Sequence, residues 1–225
     1  MNYLRKILAI LWKDLVAELR TKEMFSAMFV FAVLVVVTFN FAFDLRVTGE
    51  RVRQVAPGAL WVAFAFSGVL GLNRAFILER DRGCLEGLLL APVDHTAIFF
   101  GKMTSTMVFM LLVEALVLPV FAAFLGIDLF NGRLLLVIAL GTVGFAGVGT
   151  ILSAMTAQTR AREVLLPILL LPVAAPVLIA AVKATAGILD GLEMAEIGQW
   201  LRLLVAYDLI FPTVAVMTFD YVVRE

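Results

Sequence analysis

The sequence predicts an all-α integral membrane protein: six transmembrane helices preceded by an amphipathic helix that lies in the membrane interface. Three observations predict it. Apolar residues make up 63% of the 225 residues and charged residues only 16%, against about 45–50% and 25% in soluble domains; mean hydropathy is +1.04. The apolar residues are gathered into blocks about twenty long, the length a helix needs to cross roughly 30 Å of hydrocarbon. The first block alone has the three-and-four spacing of a one-sided helix.

That first block covers residues 1–24. Leu4, Ile7, Leu8, Leu11, Trp12, Leu15 and Leu19 fall on one helical face, and Lys6, Lys13 and Arg20 on the opposite one, the pattern of a helix in the headgroup plane. Glu18 interrupts the edge of the apolar face, so it is expected to meet protein rather than lipid. A secretory signal peptide is not expected, because the charged region is long and contains acids and the apolar run after it is too long.

Six spans follow. The first, 25–43, has nineteen residues without a charge, about 29 Å as a helix. The second, 55–72, has Pro57 and Gly58 at its entry, where proline is tolerated, and Trp61 reads as an interfacial anchor. The third, 103–125, is interrupted by Glu114. The fourth, 134–157, carries small residues four apart (Thr142, Ala146, Thr150, Ala154 and Gly149, Ser153, Ala157), which lets neighbouring helices approach closely. The fifth, 164–182, holds Pro167, Pro172 and Pro176, predicting a kinked or broken helix packed against protein. Residues 183–202 are compatible with a short helical hairpin dipping back. The sixth span is 203–219, with Asp208 and Pro212. No repeat of 20–50 residues is present, and 1–225 reads as a single transmembrane domain.

Between the second and third spans lies the longest polar interruption, 78–102. It opens with Glu79-Arg80-Asp81-Arg82 and continues as a short amphipathic piece, 84–90, with Leu85, Leu88 and Leu89 apolar and Glu86 polar. Pro92 stops any helix there, and Gly101-Lys102 lead into the next span. Two readings stay open: an ordinary solvated loop, and a docking piece through which a soluble partner pushes on the membrane helices, its leucines filling a groove and Glu86 making a charge-assisted contact. Twelve of the eighteen Lys and Arg residues fall on the side of this stretch and of both termini, which places that side in the cytoplasm.

Function classes narrow by exclusion. Formal net charge is zero, so the chain is not built to bind nucleic acid. The single cysteine, Cys84, rules out an internal disulfide, and the single histidine, His95, reads as a solvated loop residue rather than a metal ligand. No G-x-x-x-x-G-K-[ST] is present, so the chain does not cradle a nucleotide by itself. Glu114 sits at the middle of its span, where a carboxyl costs about 2.5–3.5 kcal/mol and should face protein or water. It is either a carboxyl on a proton or substrate path or an interhelical hydrogen-bonder. Asp208, five residues into the last span, reads as shallow enough to reach the interface.

Three motifs stand out: Ala56-Pro57-Gly58 followed by Trp61; Gly83-x-Leu85-Glu86-x-Leu88-x-Leu90-x-Pro92 followed by Gly101-Lys102; and Leu165-Leu166-Pro167 through Pro172 and Pro176 to Ala184-Thr185. Together they resemble the CcmB family, the haem exporter permeases of cytochrome c maturation. Cys84 departs from the serine of the family pattern, and Glu114 lies outside the three motifs. The resemblance implies an ABC-2-type exporter-like permease in a bacterial inner membrane, both termini cytoplasmic. Gly83, Leu85, Glu86, Leu88, Leu89 and Pro92 would couple it to a separate ATPase subunit, CcmA. A second copy of the chain, CcmC and the small CcmD would join the assembly, and ATP hydrolysis would be linked to release of the haem-loaded chaperone CcmE. The chain itself would be non-catalytic and bind no cofactor, with ATP on the partner subunit and haem handled by the complex.

Two other classes are weighed against this. A proton-coupled secondary transporter using Glu114 and Asp208 predicts inverted repeats with paired broken helices, and only one strongly Pro-interrupted span is visible. An intramembrane enzyme needs paired catalytic residues, which the spans lack.

Overall fold

The computed structural model describes residues 3–43, 49–81, 94–125, 131–157, 159 and 161–224. They form seven helices: α1 (Tyr3–Thr21), α2 (Glu23–Phe43), α3 (Gly49–Asp81), α4 (His95–Leu125), α5 (Gly132–Thr156), α6 (Arg162–Leu189) and α7 (Met194–Arg224). Among the described residues six helices, α2 to α7, are long and apolar enough to cross a membrane, so the architecture is that of a six-span protein with an additional N-terminal helix.

Helix α5 is the hub. It packs against α3, α4, α6 and α7, and its small residues make that possible. A Cβ on Gly141 or Gly149 would run into Trp61 and Leu72 of α3, and one on Gly144 or Gly147 would meet Asp208 and Pro212 of α7. Ser153 donates to the Leu72 carbonyl at 2.7 Å, so the row Gly149–Ser153 is the α3–α5 seam. Small residues exchange side-chain volume for close backbone contact, which drives helix association where lipid offers no hydrophobic gain.

Several elements run further than the apolar spans. The third span helix starts at His95, not 103, so His95 is a half-buried first helical residue and not part of a solvated loop. Likewise α3 runs from Gly49 to Asp81, which puts Pro57 inside the helix and makes Glu79–Asp81 helical. Thirty-one residues of α4 make about 46 Å of helix, well beyond a hydrocarbon core of about 30 Å. An apolar run marks only the part of a helix in lipid. The backbone keeps its hydrogen bonds beyond it.

No separate hairpin forms between the fifth and sixth spans. Helix α6 continues to Leu189 and α7 begins at Met194. Gly191, at φ +77°, closes α6: Leu192 N–H donates to the Gly187 carbonyl at 2.9 Å and Gly191 N–H to that of Ile188 at 3.1 Å, a glycine-dependent Schellman termination. The three prolines do not break α6, which is one uninterrupted helix. The Tyr207 hydroxyl donates to the Val173 carbonyl at 2.9 Å, which ties α7 to the Pro172–Pro176 turn of α6.

Candidate functional site

The membrane-facing side of the N-terminal block is where the sequence places it. Leu4, Leu8, Trp12 and Leu19 are exposed on α1, with Lys13 and Arg20 exposed on a different face, consistent with apolar side chains in lipid and cations toward the headgroups. A third face meets protein. Ile10 and Glu18 are buried. Glu18 accepts a hydrogen bond from Phe25 N–H at 2.8 Å, which supplies a free donor at the start of α2 and holds the one-residue elbow at Lys22. That residue adopts φ +56°, uncommon for a non-glycine residue.

Opposite this third face stand the first turns of α4. Lys102 Nζ lies 3.0 and 3.2 Å from the two Asp14 carboxylate oxygens, and the Lys102 side chain is only 3% exposed. Gly101 admits Ile10, since a Cβ there would sit 2.8–3.0 Å from Ile10 side-chain atoms. Nearer the N-terminus the Tyr3 hydroxyl donates to Thr96 Oγ1 at 3.3 Å. On the neighbouring helix, Arg74 of α3 pairs with Glu23 of α2 at 2.9 Å. Arg74 thus meets α2 just past the α1–α2 elbow, whereas α4 begins against the opposite, N-terminal end of α1.

The residues expected to couple to an ATPase (Gly83, Leu85, Glu86, Leu88, Leu89 and Pro92) lie outside the described residues. The intramembrane residues are described, and two of them sit differently from the sequence reading. Glu114 is buried at 2% exposure, and the Thr142 hydroxyl lies 2.9 Å from each of its carboxyl oxygens. The α4–α5 contact thus carries the interhelical hydrogen bond that was one of its two readings. Asp208 does not turn outward to the interface. Both its oxygens are buried without a hydrogen-bond partner, against Gly144 of α5. Thr142 and Gly144 are two residues apart, about 200° around α5, so Glu114 and Asp208 lie on different sides of that helix and do not form one site.

Trp61 is not an interfacial anchor. It is 3% exposed, its indole ring covers Gly141, and its Nε1–H donates to Thr185 Oγ1 at 3.0 Å. Two motifs more than a hundred residues apart are therefore contact partners, which explains the residue types at each: an indole needs an acceptor when buried, and a hydroxyl of α6 supplies it. Sequence reasoning missed Asp14 as a partner. Its signal is present, because Ile10, Asp14 and Glu18 are spaced by four beside the apolar face, and acids at that spacing next to a lipid-facing stripe point to protein contact. Among the described residues no three His, Cys, Asp or Glu side chains gather as metal ligands would.

Comparison with known proteins matches residues 5–224 to the family model described as CcmB protein. Among curated relatives, heme exporter protein B of Pseudomonas aeruginosa is 27% identical over 88% of this chain and 87% of its own length. Its namesake in Rhodobacter capsulatus is 30% identical over 76% and 78%, and that of Paracoccus denitrificans 31% identical over 63% and 66%. With a family model spanning nearly its whole length and six membrane-length helices in the matching region, this chain belongs to the CcmB protein family.

Proposed function

We propose that the chain is the permease subunit of an ABC-type complex in cytochrome c maturation, acting in a bacterial inner membrane with both termini cytoplasmic. ATP is hydrolysed on a separate subunit, CcmA. The permease transmits that work to haem handling by CcmC and CcmD and to release of the haem-loaded chaperone CcmE. A second copy of the chain completes the membrane part. The relatives' name, heme exporter protein B, supports the link to haem. The observation that carries the mechanical reading is the seat of α1 on α4, where an interfacial helix is fixed by the Asp14–Lys102 pair to a span helix that begins two residues after stretch 82–93.

In this reading the permease does no bond chemistry. Residues 84–90 dock into a groove of the ATPase through Leu85, Leu88 and Leu89, with Glu86 as the polar contact and Gly83 and Pro92 bounding the piece. Closure of the ATPase displaces the adjoining ends of α3 and α4. The separation of Glu114 from Asp208 around α5 gives no support to a relay between them.

The test is recovery of the ATPase subunit with the tagged chain in detergent. Leu88→Asp and Glu86→Ala are expected to lower that recovery while the chain still inserts and folds. Recovery equal to that of the unaltered chain would remove the docking assignment, and absence of any ATPase from the unaltered preparation would remove the ABC reading.

A further inference from the structure

Helix α1 is held by far more than its partition into the interface. Lipid contact needs only the outward stripe of Leu4, Leu8, Trp12 and Leu19, yet a separate face is bonded to α4. Three ties run along it: Tyr3 to Thr96, Ile10 into the Gly101 seat and Asp14 to Lys102. They span twelve residues of α1, about 16 Å of helix, against the first two turns of α4. Ile10 also joins an apolar cluster with Phe99 and Met103 of α4, Ala154 of α5 and Phe219 of α7, separate from the main core. The Lys102 ammonium is almost wholly removed from solvent. Burying such a pair is poor economy for stability, but it fixes geometry, because breaking it strands a charge in low dielectric. Lys13 also approaches Asp14, at 3.4 Å, but from the exposed side, and does not replace the inner contact.

We propose that Asp14 and Lys102 are positioning residues which, with the Ile10–Gly101 seat, make α1 and the first turns of α4 one rigid body, so that α1 sweeps along the membrane surface whenever α4 is displaced. This rests on the ABC-permease reading. It adds that the interfacial helix moves with the third span during the ATP-driven cycle and is not a fixed anchor against which that span slides.

The test uses the full complex in lipid nanodiscs, with ATPase-subunit recovery, ATP turnover and cellular yield of c-type cytochromes as readouts. Lys102→Met is expected to leave ATPase recovery unchanged and to lower turnover and cytochrome yield by about fivefold or more, the lower range of coupling between sites. The exchange Asp14→Lys with Lys102→Asp restores both. In a Cys84→Ser background, Tyr3→Cys with Thr96→Cys, joined by a short bifunctional thiol-reactive reagent that reduction releases, ties α1 to α4 outside the Ile10–Gly101 seat. Once joined it keeps full turnover, and it restores turnover when combined with Lys102→Met. Turnover stopped by the cross-link and recovered by reduction would overturn the proposal, since α1 would then have to slide on α4. Normal turnover in Lys102→Met would also overturn it. If Lys102→Met fails to accumulate, the cross-linked variant, which keeps both charges and the seat, decides by itself. Loss of the ATPase from the unaltered complex is a different failure, visible as a missing subunit, and it takes the permease reading down as well.

Discussion

Glu114 can be replaced by glutamine at little cost to the fold, whereas alanine is expensive. The carboxyl is buried and touches Thr142 through both oxygens at 2.9 Å. Glutamine has the same length, and its amide oxygen can accept from the Thr142 hydroxyl. Only the quality of one interhelical hydrogen bond changes, and such bonds are worth about 0.6 kcal/mol in membranes, with a ceiling near 1.7. Alanine removes that bond and leaves a void among packed side chains, and large-to-small changes in cores cost about 2–5 kcal/mol. Thr142 would not be orphaned in the alanine variant. It can turn to its own helix, as Thr150 does with the Ala146 carbonyl at 2.7 Å. The void therefore dominates, and the gap between the two variants is about 1.5–4.5 kcal/mol on these magnitudes. At about 2–4 °C per kcal/mol for a chain of this size, the alanine variant should unfold roughly 3–18 °C below the glutamine variant. Thermal unfolding of the detergent-purified protein reads this directly. A glutamine variant that melts with the alanine one would refute the hydrogen-bond account. A glutamine variant of normal stability that fails in cytochrome c maturation would assign Glu114 a chemical role as well.

Other substitutions test the remaining contacts. Thr185→Val keeps the side-chain volume but strands the Trp61 indole donor and should cost about 1–3 kcal/mol; in a double-mutant cycle with Trp61→Phe most of that cost should reappear as coupling, and zero coupling would deny the bond. Gly141→Ala places a methyl inside the Trp61 ring's position and should lower Tm clearly, while Gly132→Ala, with open space around it, should leave it unchanged. At the elbow, Lys22→Gly suits φ +56° and should be neutral or stabilising, whereas the β-branched Lys22→Val should fall about 1–2 kcal/mol below the glycine variant; equal melting of the two would show that the positive φ is not required.

Much of this molecule was legible before any coordinates. Six spans and an interfacial helix follow from hydropathy and periodicity because transfer into lipid is a property of each residue and its near neighbours. The rows built on Thr142 and on Gly149 could be read as contact seams for a similar local reason: a missing side chain is visible in the sequence wherever its neighbour comes from. The Schellman closure at Gly191 carries no local signal beyond the glycine itself, and the apolar residues of 183–202, compatible with a short hairpin, belong to helices that continue from the spans on either side.

What the sequence by itself determined is which positions need protein rather than lipid beside them: Glu18, Glu114 and the row from Gly149. What only the tertiary structure decided is who meets them: Phe25 N–H, Thr142 and Leu72 of α3. The cost of a polar group or a gap in hydrocarbon is set locally. Its relief comes from a helix that can lie anywhere along the chain, and the choice is made by packing six helices at once. The same holds for α1, whose lipid face is written in its spacing and whose grip on Gly101 and Lys102 appears only when α4 is laid against it.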